Sequence, residues 1–210
     1  KNKNNSRILS AVFCQPYFFI ASHRDYLDVR MAPFMEPFVH LASKGRISQS
    51  PRFDGLEHLK LATHNLRTIK GQAESVSCDM QSTYDVDIMC AQETKRFSDK
   101  DTIKVVGNST HYYMETTRKS KDELRYGLAF IVKNSFARFV YAKKAVSERL
   151  AYLQLRCPTT NSITSIINVY APHMARPAEE GLAFYAHLSK LYRELRKAST
   201  VVFVCGDFNA

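Results

Sequence analysis

Six short runs of β-branched and aromatic residues set the frame for this chain: 59–64, 86–91, 126–132, 150–155, 163–170 and 201–205. Each is closed off by polar residues or by Gly and Pro, and each has the length of a strand rather than of a helix that covers a core. Four of them end in groups able to do chemistry: His64-Asn65, Gln92-Glu93-Thr94, Tyr170 in the segment Asn168-Val169-Tyr170-Ala171-Pro172, and Asp207 with Asn209 in Gly206-Asp207-Phe208-Asn209. Strand ends are rigid, so side chains placed there can converge on one rim of a sheet.

One segment has the helical period instead. Over 178–197, Leu182, Tyr185, Leu188, Tyr192 and Leu195 recur at spacings of three and four, and Phe184 and Leu191 widen the stripe. Glu179 and Glu180 fall in the first turn and Arg193, Arg196 and Lys197 in the last, which suits the helix dipole. Pro177 precedes it, where proline is tolerated. A helical or loop segment is expected after the first strand, through about Ser82.

Residues 1–55 read differently. A basic start (Lys1, Lys3, Arg7) and the apolar run 8–14 imitate a signal peptide, but Gln15-Pro16 interrupts the run. With Pro33, Pro37 and Pro51 and no clear period, this part is read as a poorly ordered extension with at most a short helix, and residues 56–210 as the folded part. No stretch approaches the ~18 consecutive apolar residues that span a bilayer. Five cysteines, an odd number with no CxxC pair, point to free thiols in a reducing, intracellular setting rather than to a disulfide framework or a zinc site.

The net charge of +10 is uneven. Residues 118–149 hold 9 basic and 3 acidic residues, the whole excess of the part beyond residue 55. A local excess of this kind fits a polyanionic partner such as nucleic acid, an anionic membrane surface, or a solvated lysine-rich face.

Phosphodiester cleavage needs a hard cation held by oxygen ligands, a base for water and donors for the transition-state charge. Glu93 can supply the metal carboxylate, Asp207 the base, Asn65 and Asn209 the groups that orient phosphate or water, and Tyr170 a hydroxyl donor to phosphate. Singly, each is what a solvated strand end or a tight turn also looks like; their order along the chain is the argument.

That order, Asn65, then Gln92-Glu93-Thr94-Lys95, Tyr126-Gly127-Leu128-Ala129-Phe130, Arg149-Leu150, Asn168-Val169-Tyr170-Ala171-Pro172 and Gly206-Asp207-Phe208-Asn209, resembles the endonuclease/exonuclease/phosphatase superfamily over residues 59–210. Within it, the chain is similar to apurinic-endonuclease-like nucleases, in particular non-LTR retrotransposon endonuclease domains and craniofacial development protein 2-like proteins. The resemblance implies an α/β fold, the N-terminal portion of a four-layer α-β-β-α sandwich with mainly antiparallel sheets, incomplete at the C-terminus. It implies Mg²⁺ (or Mn²⁺) on Glu93 with Asn65, catalysis by Asp207, Asn209 and Tyr170, substrate contacts from Asn65, Tyr170 and Asn209, and a structural Arg149. The partner it implies is nucleic acid, DNA first, with no membrane; no protein partner follows, and a nuclear location follows only from the DNA substrate.

Two departures stand out. His64 occupies a place where the family has Trp, and is read as a packing substitute; His173 follows Tyr170-Ala171-Pro172 where Asn is common, and is read as a loop residue. The family's catalysis also uses a later Asp and an Asp-His pair, so the 210 residues alone are expected to turn over no substrate and to expose part of a sheet face. The alternatives left open are a phosphoesterase of the same fold acting on phosphoinositide, sphingomyelin or RNA ends, and a non-catalytic retroelement-derived fragment.

Overall fold

The computed structural model describes residues 59–96, 102–114 and 127–209, and the backbone of 9–14 and 17–22. In the N-terminal part, where the sequence suggested at most a short helix, strands β1 (Leu9–Cys14) and β2 (Tyr17–Ser22) pair antiparallel; the rest of residues 1–55 lies outside the described residues.

A five-stranded sheet in the order β3-β4-β7-β6-β5 is built from β3 (Leu61–Asn65), β4 (Ile88–Gln92), β5 (Thr102–Val106), β6 (Ser109–Met114) and β7 (Leu128–Lys133). A four-stranded sheet in the order β11-β10-β9-β8 is built from β8 (Val140–Ser147), β9 (Leu150–Arg156), β10 (Ile163–Tyr170) and β11 (Val201–Asp207). Each sheet has one parallel pair, β3 with β4 and β10 with β11, and is otherwise antiparallel. The helices are α1 (Ala73–Cys78), which runs on as a π-helical turn over Asp79–Thr83, the single turn α2 (Asn134–Ala137) and the long α3 (Ala178–Ala198).

Three apolar clusters define four layers. Ile88, Cys90, Phe130 and Val132 of the first sheet meet Leu153, Leu155, Ile166 and Phe203 of the second between the sheets. Ala62, Met89 and Ile131 face Ile69, Met80 and Val86 of the α1 segment on the outer side of the first sheet. Ile167, Val169, Val202 and Val204 face Phe184, Leu191 and Leu195 of α3 on the outer side of the second. Strands such as β10 read as nearly unbroken apolar runs because both of their faces are covered. The α-β-β-α sandwich expected from the sequence is therefore present, with its strand ends near the expected places.

The differences are local. Leu182 is 52% exposed, so the buried stripe of α3 is centred on Phe184, Leu191 and Leu195 rather than on Leu182. Strands β5, β6 and β8 lie where no strand was read. Cys90, Cys157 and Cys205 are buried free thiols, and burial pushes the Cys90 thiol well up. Four cations of the basic stretch, Arg118, Lys119, Lys121 and Arg125, lie outside the described residues. Among the described residues no helix is long and apolar enough to cross a membrane.

Candidate active site

The parallel pairs bring the chemistry to one rim. β3 and β4 end together at Asn65 opposite Gln92, and β10 and β11 end together at Tyr170 opposite Asp207. Face-to-face packing then sets the two pairs of ends side by side.

Asn65 is the junction. Its Nδ2 donates to Glu93 Oε1 at 2.8 Å and to Asp207 Oδ2 at 2.8 Å, joining the two sheets through one amide. Its Oδ1 accepts the Arg67 N–H at 3.1 Å, so the nitrogen faces the carboxylates. Glu93 Oε1 also accepts the Tyr170 hydroxyl at 2.9 Å, and Lys95 Nζ lies 3.6 Å from Glu93 Oε2. Burial raises the Tyr170 phenol well above its usual range; the hydrogen bond and charge of Glu93 and the charge of Asp207 add to this, and Arg149 partly offsets it. Tyr170 is thus held as a protonated donor.

Asp207 and Asn209 form a rigid turn. Asp207 Oδ1 accepts the Asn209 N–H at 3.0 Å, and Asn209 Nδ2 donates to the Ala171 carbonyl at 2.6 Å. Asn209 has φ +49°, a left-handed conformation that Asn tolerates. Gly206 has φ +154°, and a Cβ there would lie 2.0 Å from the Val169 carbonyl oxygen, so the close approach of β11 to β10 admits only glycine. Glu93 and Lys95 also sit at positive φ, +50° and +49°. Backbone bonds on both sides hold that loop, from Leu66 N–H to Gln92 O, Ile69 N–H to Thr94 O and Thr94 N–H to Gly127 O. Non-glycine residues in this region are strained and persist where the surroundings fix them, commonly at functional sites.

All five sequence-derived site residues, Asn65, Glu93, Tyr170, Asp207 and Asn209, come together here. Arg149 lies beneath them. Its side chain is buried, with Nη2 3.0 Å from Glu180 Oε1 of α3, Nη1 3.4 Å from the Tyr170 carbonyl, and the guanidinium 5.6 Å from the Tyr170 ring centre, a supporting arrangement. His64 is half-buried on β3, and burial lowers its pKa against the opposing charge of Asp79. His173 is exposed in the loop, its Nδ1 accepting the Ala175 N–H at 3.2 Å. Lys95, Gln92 and Asn168 stand beside the site residues with no role predicted from the sequence. The available signal was a polar residue inside an otherwise apolar run, as with Asn168 in ITSIINVY.

The donor set fits a hard divalent ion. Two carboxylates share one amide nitrogen, an arrangement of negative charge that a cation stabilises, and the oxygens are unaccompanied by thiol or imidazole. Among the described residues no group of three or more His, Cys, Asp or Glu side chains gathers.

Comparison with known proteins gives one family. A model of the Endonuclease/Exonuclease/phosphatase family matches residues 62–210. No curated protein matches the chain significantly. Among solved structures, TDP2 from Caenorhabditis elegans superposes with a TM-score of 0.50 at 16% identity, over 72% of this chain and 47% of that one. An AP endonuclease from Leishmania major gives 0.45 at 18% identity, over 56% and 41%. A mannosyl-6-phosphatase from Bacteroides thetaiotaomicron gives 0.49 at 17%, over 72% and 65%. The chain spans less than half the length of the first two, and at these identities the likeness is one of fold.

Proposed function

The chain belongs to the endonuclease/exonuclease/phosphatase family, and on that premise we propose that the protein carrying it is a metal-dependent phosphodiesterase acting on DNA, an endonuclease of the non-LTR retrotransposon type. The observation that supports this most is the junction at Asn65, where one amide joins Glu93 of the first sheet to Asp207 of the second while Tyr170 donates to the same Glu93 oxygen. The set matches what phosphodiester hydrolysis needs, in the order the sequence led one to expect.

In this reading Glu93 would hold Mg²⁺ or Mn²⁺ with help from Asn65, whose amide bonds to the Glu93 carboxylate. The bound cation supplies charge neutralisation at the phosphate. Asp207 orients the attacking water and takes its proton. Asn209, fixed by its bond to Ala171, orients phosphate or water. Tyr170 donates its hydroxyl to a phosphate oxygen; its raised pKa makes it a donor and not a nucleophile. DNA is the substrate favoured by the nuclease-like Tyr170-Ala171-Pro172 and Gly206-Asp207-Phe208-Asn209 blocks together with the basic excess of residues 118–149, whose exposed or part-exposed described members include Lys133, Arg138, Lys143 and Lys144.

The test uses the full-length protein with supercoiled plasmid and Mg²⁺. Nicking is expected, with a loss of about 10²- to 10⁴-fold on Asp207→Ala, the range for removing a general base. Parallel arms with single-stranded RNA and inositol phosphates separate the substrate classes. Turnover of either in place of plasmid would replace DNA in this reading, and nicking unchanged by Asp207→Ala would overturn the assignment of the base.

A further inference from the structure

Behind the Tyr170–Glu93 bond lies a second polar link between the sheets. Gln92 and Asn168 are both fully buried, in a layer filled mainly by apolar side chains. Gln92 Nε2 donates to Asn168 Oδ1 at 2.7 Å and to the Cys90 carbonyl at 2.9 Å, and Gln92 Oε1 accepts the Thr63 hydroxyl at 3.2 Å. Asn168 Nδ2 donates to the carbonyls of Ala91 and Ala129, each at 3.0 Å. Those two residues face each other on the last rung between β4 and β7. One side chain of the second sheet thus bonds three residues on two strands of the first.

We propose that Gln92 and Asn168 are positioning residues, a clamp that fixes the register between the sheets and so sets Glu93 against Tyr170 and Asp207. The proposal rests on the reading of those three residues as the site. The geometry is direct. Gln92 is the last residue of β4 and Glu93 follows it. Asn168 stands two residues before Tyr170, on the same face of β10, because side chains alternate along a strand. The clamp lies one step behind the reactive rim on both sheets.

Apolar contacts hold two sheets together without direction, so they resist separation better than sliding. Hydrogen bonds of 2.7–3.0 Å fail within a few tenths of an ångström, and misplacement by about 1 Å at a reacting centre costs on the order of 100-fold in rate. A fully satisfied buried network is the arrangement that can specify one register. It also explains why two amides occupy a layer where apolar side chains would pack as well.

The test separates positioning from packing. In the full-length protein, the paired replacement Gln92→Met with Asn168→Leu removes both amides together at nearly constant volume, so neither amide is left facing an unpaired partner amide. Its urea midpoint is expected to stay near wild type, while Mn²⁺ affinity, read by electron paramagnetic resonance, falls at least fivefold and kcat falls more than KM rises. The swapped pair Gln92→Asn with Asn168→Gln keeps both amides and their combined reach, and is expected to bind Mn²⁺ within twofold of wild type. Wild-type Mn²⁺ affinity and kcat in the apolar pair would overturn the clamp, as would a loss in the swapped pair as large as in the apolar pair. Glu93→Gln in the wild-type background is the control for the site itself. Unchanged Mn²⁺ binding there would refute the metal assignment rather than the clamp.

Discussion

Lys95 holds its ammonium 3.6 Å from Glu93 Oε2, so a cation held at Glu93, as proposed above, would meet a charge already in place. The Lys95 side chain is 37% exposed, and solvent screens most of the attraction. Removing it by Lys95→Ala is therefore expected to tighten Mg²⁺ binding by only about two- to threefold, from an ion pair worth roughly 0.5 kcal/mol. Isothermal titration reads this directly, and weaker binding in the variant would show that Lys95 supports the ion instead of competing with it. Gly206 is a sharper case. A Cβ at this position would stand 2.0 Å from the Val169 carbonyl oxygen, a backbone atom, at φ +154°. Gly206→Ala should destabilise the fold by about 3 kcal/mol or more and displace Asp207 with it. A urea midpoint like that of the wild type would contradict the contact. Both residues sat in recognisable motifs, but only the closeness of β10 to β11 turns glycine from a turn former into a requirement.

At the scale of the element, β6 is the informative strand. Its sequence STHYYM gave no apolar run, yet every residue of it is buried. The reason is mutual satisfaction beneath α1: Ser77 Oγ lies 2.5 Å from Ser109 Oγ, Ser109 Oγ 3.2 Å from His111 Nε2, and His111 Nδ1 3.2 Å from the Tyr113 hydroxyl. Arg96 stacks over the Tyr113 ring at 4.0 Å, closing the chain toward the Glu93 loop. Burial, followed by the charge of Arg96, lowers the His111 pKa from 6.5 to about 4. The unfolded chain then binds a proton that the folded one refuses, so the stability contribution is complete above pH 6.5 and is lost as pH falls toward 4. The loss amounts to about 3 kcal/mol at 1.36 kcal/mol per pH unit. Urea midpoints of wild type and His111→Asn measured from pH 7.5 to 4 should converge as pH drops. A constant difference between them would rule the histidine out as the source. Strand β8 was missed for another reason: Lys143 and Lys144 interrupt its alternation, as lysines do on edge strands that avoid pairing with other chains.

For the molecule as a whole, the exposed apolar side chains matter most. Ile103 and Val105 are 54% and 70% exposed on β5, at one edge of the first sheet. They pair in register with Tyr112 and Thr110, so they point to the same side as Tyr112 of the inter-sheet layer. An exposed apolar edge strand is a template for self-association. Val105→Lys is expected to lower the light-scattering mass of the protein at micromolar concentration without lowering its melting temperature. Unchanged association would place the sticky surface elsewhere.

The sequence alone determined the layers and which strand ends carry the candidate residues. β-branched runs such as ITSIINVY and VVFVC can be buried only as strands covered on both faces, and the helical stripe between them supplies one cover. Asn65, Glu93, Tyr170, Asp207 and Asn209 were legible because each follows a strand whose end is fixed by its apolar run. What pairs with what was decided only in three dimensions. Whether Leu182 or Phe184 faces the sheet depends on how α3 is rotated against β10 and β11, and the stripe is wide enough to permit either. Gln92 and Asn168 stand 76 residues apart. Their bond exists only because two sheets meet face to face at one register, and a property of that kind belongs to the packing of distant segments, which no local pattern of side chains encodes.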